Sequence, residues 1–128
     1  MTLEQFLKQL ASAPNTIEFK QVMGLIEQHY EYTPTSFRNG PEVSNKAGTN
    51  EGSCKIFSFA QLEGLSENDT LACFGAFYRE EVLAQPDAAN HGNIRAFMKF
   101  GWNGIEFDGV ALAKNSSKQS KDNPEIKF

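Results

Sequence analysis

Two cysteines, two histidines, one tryptophan and no apolar run of membrane-spanning length leave this sequence without the features that announce a disulfide scaffold, a structural metal centre or a transmembrane helix. Cys54 and Cys73 stand nineteen positions apart, and the start MTLEQFLKQL sets Glu4 where a secretory signal needs an unbroken apolar stretch. Free thiols in a cytoplasmic protein are therefore expected. No Cys or His pair has the close spacing of structural zinc ligands, so His29, Cys54, Cys73 and His91 are not read as a metal site, and no cofactor is expected. Positive charge is scarce as well: 12 Lys and Arg face 16 Asp and Glu, for a net charge of −4. Within residues 1–113 the count is 8 against 14, and no basic stripe is interleaved with aromatics. Neither nucleic acid nor a membrane is the expected partner.

What the chain does have is phenylalanine, eleven residues against three Tyr, and these rings carry no polar atom that must be satisfied when buried. A chain of 128 residues can enclose a core of such rings without a metal or a disulfide. Apolar periodicity predicts about five short helices. The first spans about 3–11, with Thr2 and Gln5 as a capping box and Leu3, Phe6, Leu7 and Leu10 on one face. The second follows a cap at Asn15 or Thr16 and carries Phe19, Val22, Met23, Ile26 and Tyr30. The third, over 54–62, is capped by Ser53, ended by Gly64 and apolar nearly all round, which marks it as central. Ser66 caps the fourth, which presents Leu71, Phe74, Phe77, Tyr78 and Val82 before Gln85-Pro86 stops it. The fifth spans 92–100, with Asn90 as cap, Ile94, Phe97 and Met98 inward, and Gly101 at its end.

Between the second and third helices the periodicity vanishes. Residues 33–53, rich in Pro, Thr, Ser, Asn and Gly, read as a long ordered loop. Near the C-terminus Asp108-Gly109 separates two short apolar runs and predicts a small β-hairpin. The expected class is thus a mainly α single domain over 1–112, with 113–128 as a flexible polar tail.

Candidate chemistry gathers at the entry to the third helix. Residues 48–55, GTNEGSCK, bring glycines, hydroxyls and a thiol to a helix start, where unpaired amides and the helix dipole favour an anion. One reading is a phosphate or carboxylate cradle made by the amides of Gly52, Ser53 and Cys54 with Lys55 as counter-charge. It is not a P-loop, because only three residues separate the glycines, Lys55 lags by two, and Glu51 adds a negative charge. The alternative is a small cysteine-dependent enzyme, with Cys54 as nucleophile, His91 as base, and Asn93 or Asn50 orienting the base.

Several strings together resemble the HopJ family of bacterial type III effector proteins: YTPTSFRNG at 32–40, NKAGTNEGSCKIF at 45–57, TLACFGAFYRE at 70–80, HGNIR at 91–95 with Phe97 and Met98, and GWNGIEF at 101–107. The likeness extends over about residues 2–112. It implies delivery by a type III system for some members, and it carries no catalytic residue with it. Residues 2–11 read as an ordered amphipathic helix rather than as the Ser-rich leader such export favours. The resulting expectation is a non-enzymatic effector-like module that presents residues 39–55 to a protein partner or a small anionic ligand, with Asn39, Asn45, Asn50, Ser53, Cys54 and Lys55 as the contact set.

Overall fold

Thr2 opens the first helix as the capping-box spacing predicts: its hydroxyl accepts from the Gln5 amide at 3.0 Å, and the Gln5 side chain accepts from the Thr2 amide at 2.8 Å. The computed structural model describes residues 1–115, and within them α1 runs over Leu3–Ser12 and buries Phe6 and Leu10. Asn15 and Thr16 do not cap the second helix. Pro14 instead sets a 3-10 turn over Pro14–Thr16, Ile17 plugs into the core behind it, and α2 (Phe19–His29) starts from Glu18. Its inward face is Val22, Leu25 and Ile26.

β1 (Tyr30–Tyr32) follows α2 directly, and the segment 33–53, expected to be a long ordered loop, contains two short strands, β2 (Phe37–Asn39) and β3 (Val43–Asn45). Near the C-terminus lie β4 (Ile105–Phe107) and β5 (Leu112–Lys114). The predicted hairpin across Asp108-Gly109 does not form. β4 pairs with β2, giving the antiparallel sheet β3-β2-β4 with Phe37 opposite Phe107, while β5 pairs with β1, placing Tyr32 opposite Leu112. Only β3 pairs locally, with β2; the other pairings join distant segments, and the bend at Asp108-Gly109 hands the chain from one sheet to the other. The ladders extend to the turn itself, through Asp108 to the Ser36 carbonyl at 3.0 Å and Thr33 to the Ala111 carbonyl at 2.8 Å.

The third helix, α3 (Glu51–Glu63), begins three residues before Cys54, so Ser53 lies inside it and Asn50 is the cap residue. Gly64 ends it at φ 66°, a left-handed turn that lets the Leu65 amide reach back to the Ala60 carbonyl at 2.9 Å. This helix is central, as its pattern suggests, although Leu62 faces outward. Phe57 is the hub of the core, with ring centroids 4.9 Å from Phe97, 5.5 Å from Phe74, 5.9 Å from Phe37 and 6.4 Å from Trp102. Phe59 builds a second cluster with Phe6 and Tyr30.

The fourth predicted helix is broken. Ser66 caps α4 (Glu67–Ala72), the chain turns at Gly75, and a π-helical turn follows over Phe77–Val82. Gly75 has φ 61° and lies against the start of α2, where an added Cβ would come within 2.7 Å of the Phe19 amide nitrogen. α5 (Gly92–Phe100) is capped by His91 rather than Asn90 and ends at Gly101. It buries Ile94 and Phe97, but Met98, expected inward, is 44% exposed. The chain does not become a tail at residue 113: β5 includes Lys114, and Asn115 is buried with its amide on the His29 carbonyl at 3.0 Å. The rest of the predicted tail, 116–128, lies outside the described residues. The fold is mainly helical, with an aromatic core and peripheral β structure. No helix among the described residues is long and apolar enough to cross a membrane.

Candidate functional site

Four side-chain amides tie the sheet to the starts of two helices. Asn93, the second residue of α5, is at the centre: its Oδ1 accepts from Asn39 Nδ2 at 3.1 Å and from Asn45 Nδ2 at 3.0 Å. Its Nδ2 donates to Asn45 Oδ1 at 2.9 Å, and Asn50 Nδ2 donates to the same oxygen at 2.8 Å. The Asn93 carbonyl takes the second Asn39 donor at 2.8 Å. Asn39, Asn45 and Asn93 are all buried, so these bonds replace water that the amides have lost. One oxygen, Asn45 Oδ1, thereby links the residue that caps α3 to the first turn of α5.

The consequence is a cleft in which two helices begin side by side. Asn50, Gly52 and Ser53 from α3 and His91, Gly92, Asn93 and Ile94 from α5 line a volume of about 330 Å³, closed on its other side by Phe19, Phe74 and Phe77. Both cap residues are left-handed, Asn50 at φ 50° and His91 at φ 57°, and neither helix is capped by a side chain. A standard cap folds its side chain onto the second or third amide of the helix. Here the first-turn amides keep their donors. The Phe19 ring sits so close to α3 that a Cβ at Gly52 would come within 2.7 Å of it, and Phe19 meets Phe77 edge to face at 5.2 Å. The His91 ring stacks obliquely on Phe77 and donates through Nε2 to Glu81 Oε1 at 2.7 Å.

Cys54 and Lys55 face elsewhere. The Cys54 amide is already spent on the Asn50 carbonyl at 3.1 Å, and its sulfur points to the Thr35 carbonyl at 3.5 Å. Lys55 Nζ lies 4.8 Å from the centre of the Tyr32 ring, whose hydroxyl donates to Glu51 at 3.1 Å. Of the four residues expected to form a cradle, Gly52 and Ser53 line the cleft, whereas Cys54 and Lys55 do not. Burial pushes the Cys54 thiol up from its ordinary value. Burial also drives Cys73 up to about 12. Since the thiolate is the reactive form, iodoacetamide is expected to label both cysteines slowly at pH 7 and quickly after denaturation, with Cys73 still slow at pH 10. Rapid labelling of native Cys54 at pH 7, followed by mass spectrometry, would support a nucleophile.

Comparison with known proteins bears on the whole chain rather than on one cleft. The family model described as "HopJ type III effector protein" matches residues 3–112. The chain belongs to the HopJ family. A crystal structure described as that of unknown function protein VPA0580 is similar to this HopJ chain at 51% identity and TM-score 0.88, over 90% of this chain and 95% of that one. A search of curated proteins gave no match.

In this HopJ protein the residues singled out from sequence thus fall into two groups. Asn39, Asn45, Asn50 and Asn93 form the buried network, and Asn50, Ser53, His91 and Asn93 reach the cleft. Cys54 and Lys55 sit against Tyr32, outside the cleft lining, and His91 bonds to Glu81. His29 has its ring against the Met1 carbonyl at 3.2 Å. Sequence reasoning missed Gly92 and the wall of Phe19, Phe74 and Phe77. The second helix start was visible as His-Gly-Asn before an apolar period, but nothing local indicated that it meets the first.

Proposed function

We propose that this HopJ protein is a non-enzymatic binding module, and that its ligand is a small anion carried on an apolar or aromatic body, held in the cleft between α3 and α5. The observation that carries the reading is the convergence of two uncapped helix starts on one cavity. Each contributes free amides and the positive end of a dipole, equivalent to roughly half a charge. The phenyl rings of Phe19, Phe74 and Phe77 offer the apolar side that such pockets use for the rest of a ligand. Glu51, the acidic residue nearest the α3 start, has its carboxylate on Tyr32 rather than over the amides. The thiol-enzyme alternative draws less support, because Cys54 and His91 are each engaged with other partners.

A titration of the full chain with inorganic phosphate, followed by amide NMR, tests this. Saturable shifts are expected at Gly52, Ser53, Gly92 and Asn93, with Gly24 and Gly64 unmoved. Phenyl phosphate should bind about tenfold more tightly, a difference of about 1.4 kcal/mol, and Phe77→Ala should remove that preference with little change in stability. Shifts that are absent, or spread evenly over the surface, would end the proposal.

A further inference from the structure

The far flank of α5, away from the two helix starts, forms a shallow groove with the end of the π-helical turn and the loop behind it. Val82, Leu83, Pro86, Arg95, Met98 and Lys99 line about 270 Å³. Val82 is buried at the floor, whereas Leu83 and Met98 leave 49% and 44% of their surface to solvent. These are two of the seven large apolar residues exposed among the described residues, and they meet in one concave place. Single exposed apolar side chains need no explanation, but a groove that gathers them does.

The charges on the lining are both positive. Arg95 and Lys99 lie one helical turn apart on α5, and among the described residues neither takes part in an ion pair. The Arg95 guanidinium is fixed by the Pro86 carbonyl at 3.1 Å, the Asn90 carbonyl at 2.6 Å and Asn90 Oδ1 at 2.9 Å. Neutral acceptors hold the cation in place without cancelling it. Lys99 Nζ lies 5.4 Å from the centre of the Phe100 ring, itself 38% exposed. In a chain with a net charge of −4, an uncompensated pair of cations beside an apolar groove is a local inversion of sign.

We propose that this groove docks a segment of a partner protein that inserts an apolar side chain between Leu83 and Met98 and sets a carboxylate against Arg95 and Lys99. Charge complementarity selects the acidic segment, and the flexible thioether of Met98 suits a surface that must adjust to a guest. A membrane fits less well: the site is concave, and two basic residues supply only about 2 kcal/mol of attraction to an anionic leaflet, against the negative charge of the rest of the molecule.

The test is selection of a random displayed peptide library on the full chain, with fluorescence anisotropy on the enriched peptides. The expected peptides share Asp or Glu beside Leu, Met, Phe or Trp and shift the Met98 methyl resonance of the unmodified protein. Their affinity falls as salt is raised, and it falls about tenfold in Leu83→Ser and in Lys99→Glu. Both positions are exposed, and circular dichroism of the two variants checks that they fold. The proposal is overturned if no peptide is enriched, if enriched peptides lack acidic residues, or if they leave the Met98 methyl unmoved or bind both variants unchanged. Binding to phosphatidylserine vesicles in place of peptides, lost in Lys99→Glu, would also overturn it and assign the groove to a membrane.

Discussion

Replacing Phe57 by alanine is expected to lower the free energy of unfolding by about 3–5 kcal/mol. The ring is fully buried and touches four other aromatic rings drawn from β2, the turn after α4, α5 and the segment that follows α5. Its removal leaves a cavity among elements that are held in place by their own contacts, such as Phe97 edge to face with Trp102 at 5.0 Å, so they can move in only in part to fill the space. Domains of this size typically hold only about 5–15 kcal/mol in total. The variant should therefore unfold at a urea concentration lower by about 2 M, given slopes of roughly 1–3 kcal/mol per M. Phe57→Leu should recover part of the loss, and Phe77→Ala, which removes a ring at the cleft mouth that is 38% exposed, should cost far less. Equal costs for Phe57→Ala and Phe77→Ala would show that the core is not centred where the rings place it.

That centre was legible from sequence because it rests on local pattern. CKIFSFA is apolar nearly all round the helix, and a helix with so little polar face has to be enclosed. The cap at Thr2, the stop at Gly64 and the cap at Ser66 were legible for the same reason: each is a contact between residues no more than five apart. The strands were not. Three residues are too few to display alternation, and β1, β2, β4 and β5 depend on partners 66 to 84 positions away, β2 with β4 and β1 with β5. At Asp108-Gly109 the chain only bends, without the positive φ at Gly109 that an Asp-Gly hairpin turn uses, and local chemistry leaves open which edge each flanking strand will join. The break after α4 escaped notice because Gly75 is left-handed for a tertiary reason, its closeness to the α2 backbone.

The site was half legible. Asparagines clustered in residues 39–50, together with a Gly-Ser-Cys helix entry, drew attention to the region that lines the cleft, since short amides favour turns and helix starts. The sequence could not tell that the helix starts at Glu51 and not at Cys54. That shift of three residues rotates Cys54 and Lys55 by most of a turn, away from the cleft and onto Tyr32. It also could not pair residues 50 and 93. Two polar loops separated by forty residues look alike as solvated connections until the fold sets them against each other.

Asn93→Ala is expected to cost about 2–4 kcal/mol, an unusual loss for a polar residue. The substitution deletes two acceptor contacts and one donor, and the surviving partners have nowhere to turn. Asn45 Nδ2 would retain only its long contact to the Phe37 carbonyl at 3.4 Å, in a side chain that is 2% exposed. Asn39 would keep the Asn93 backbone carbonyl, and Asn45 Oδ1 would keep Asn50. Most of the cost therefore reflects a stranded buried donor, not the loss of an attractive bond. Asn45→Ala removes the same pair from the other side, so the double variant should cost at least 1 kcal/mol less than the sum of the two singles. The same network sets the spacing of the α3 and α5 starts. If that spacing makes the cleft, Asn93→Ala, in conditions where it remains folded, should also abolish the phosphate-induced shifts at Gly52 and Ser53, residues it does not touch in sequence. Additive losses with unchanged phosphate shifts would reduce the four asparagines to independent packing contacts and leave each helix start to act alone.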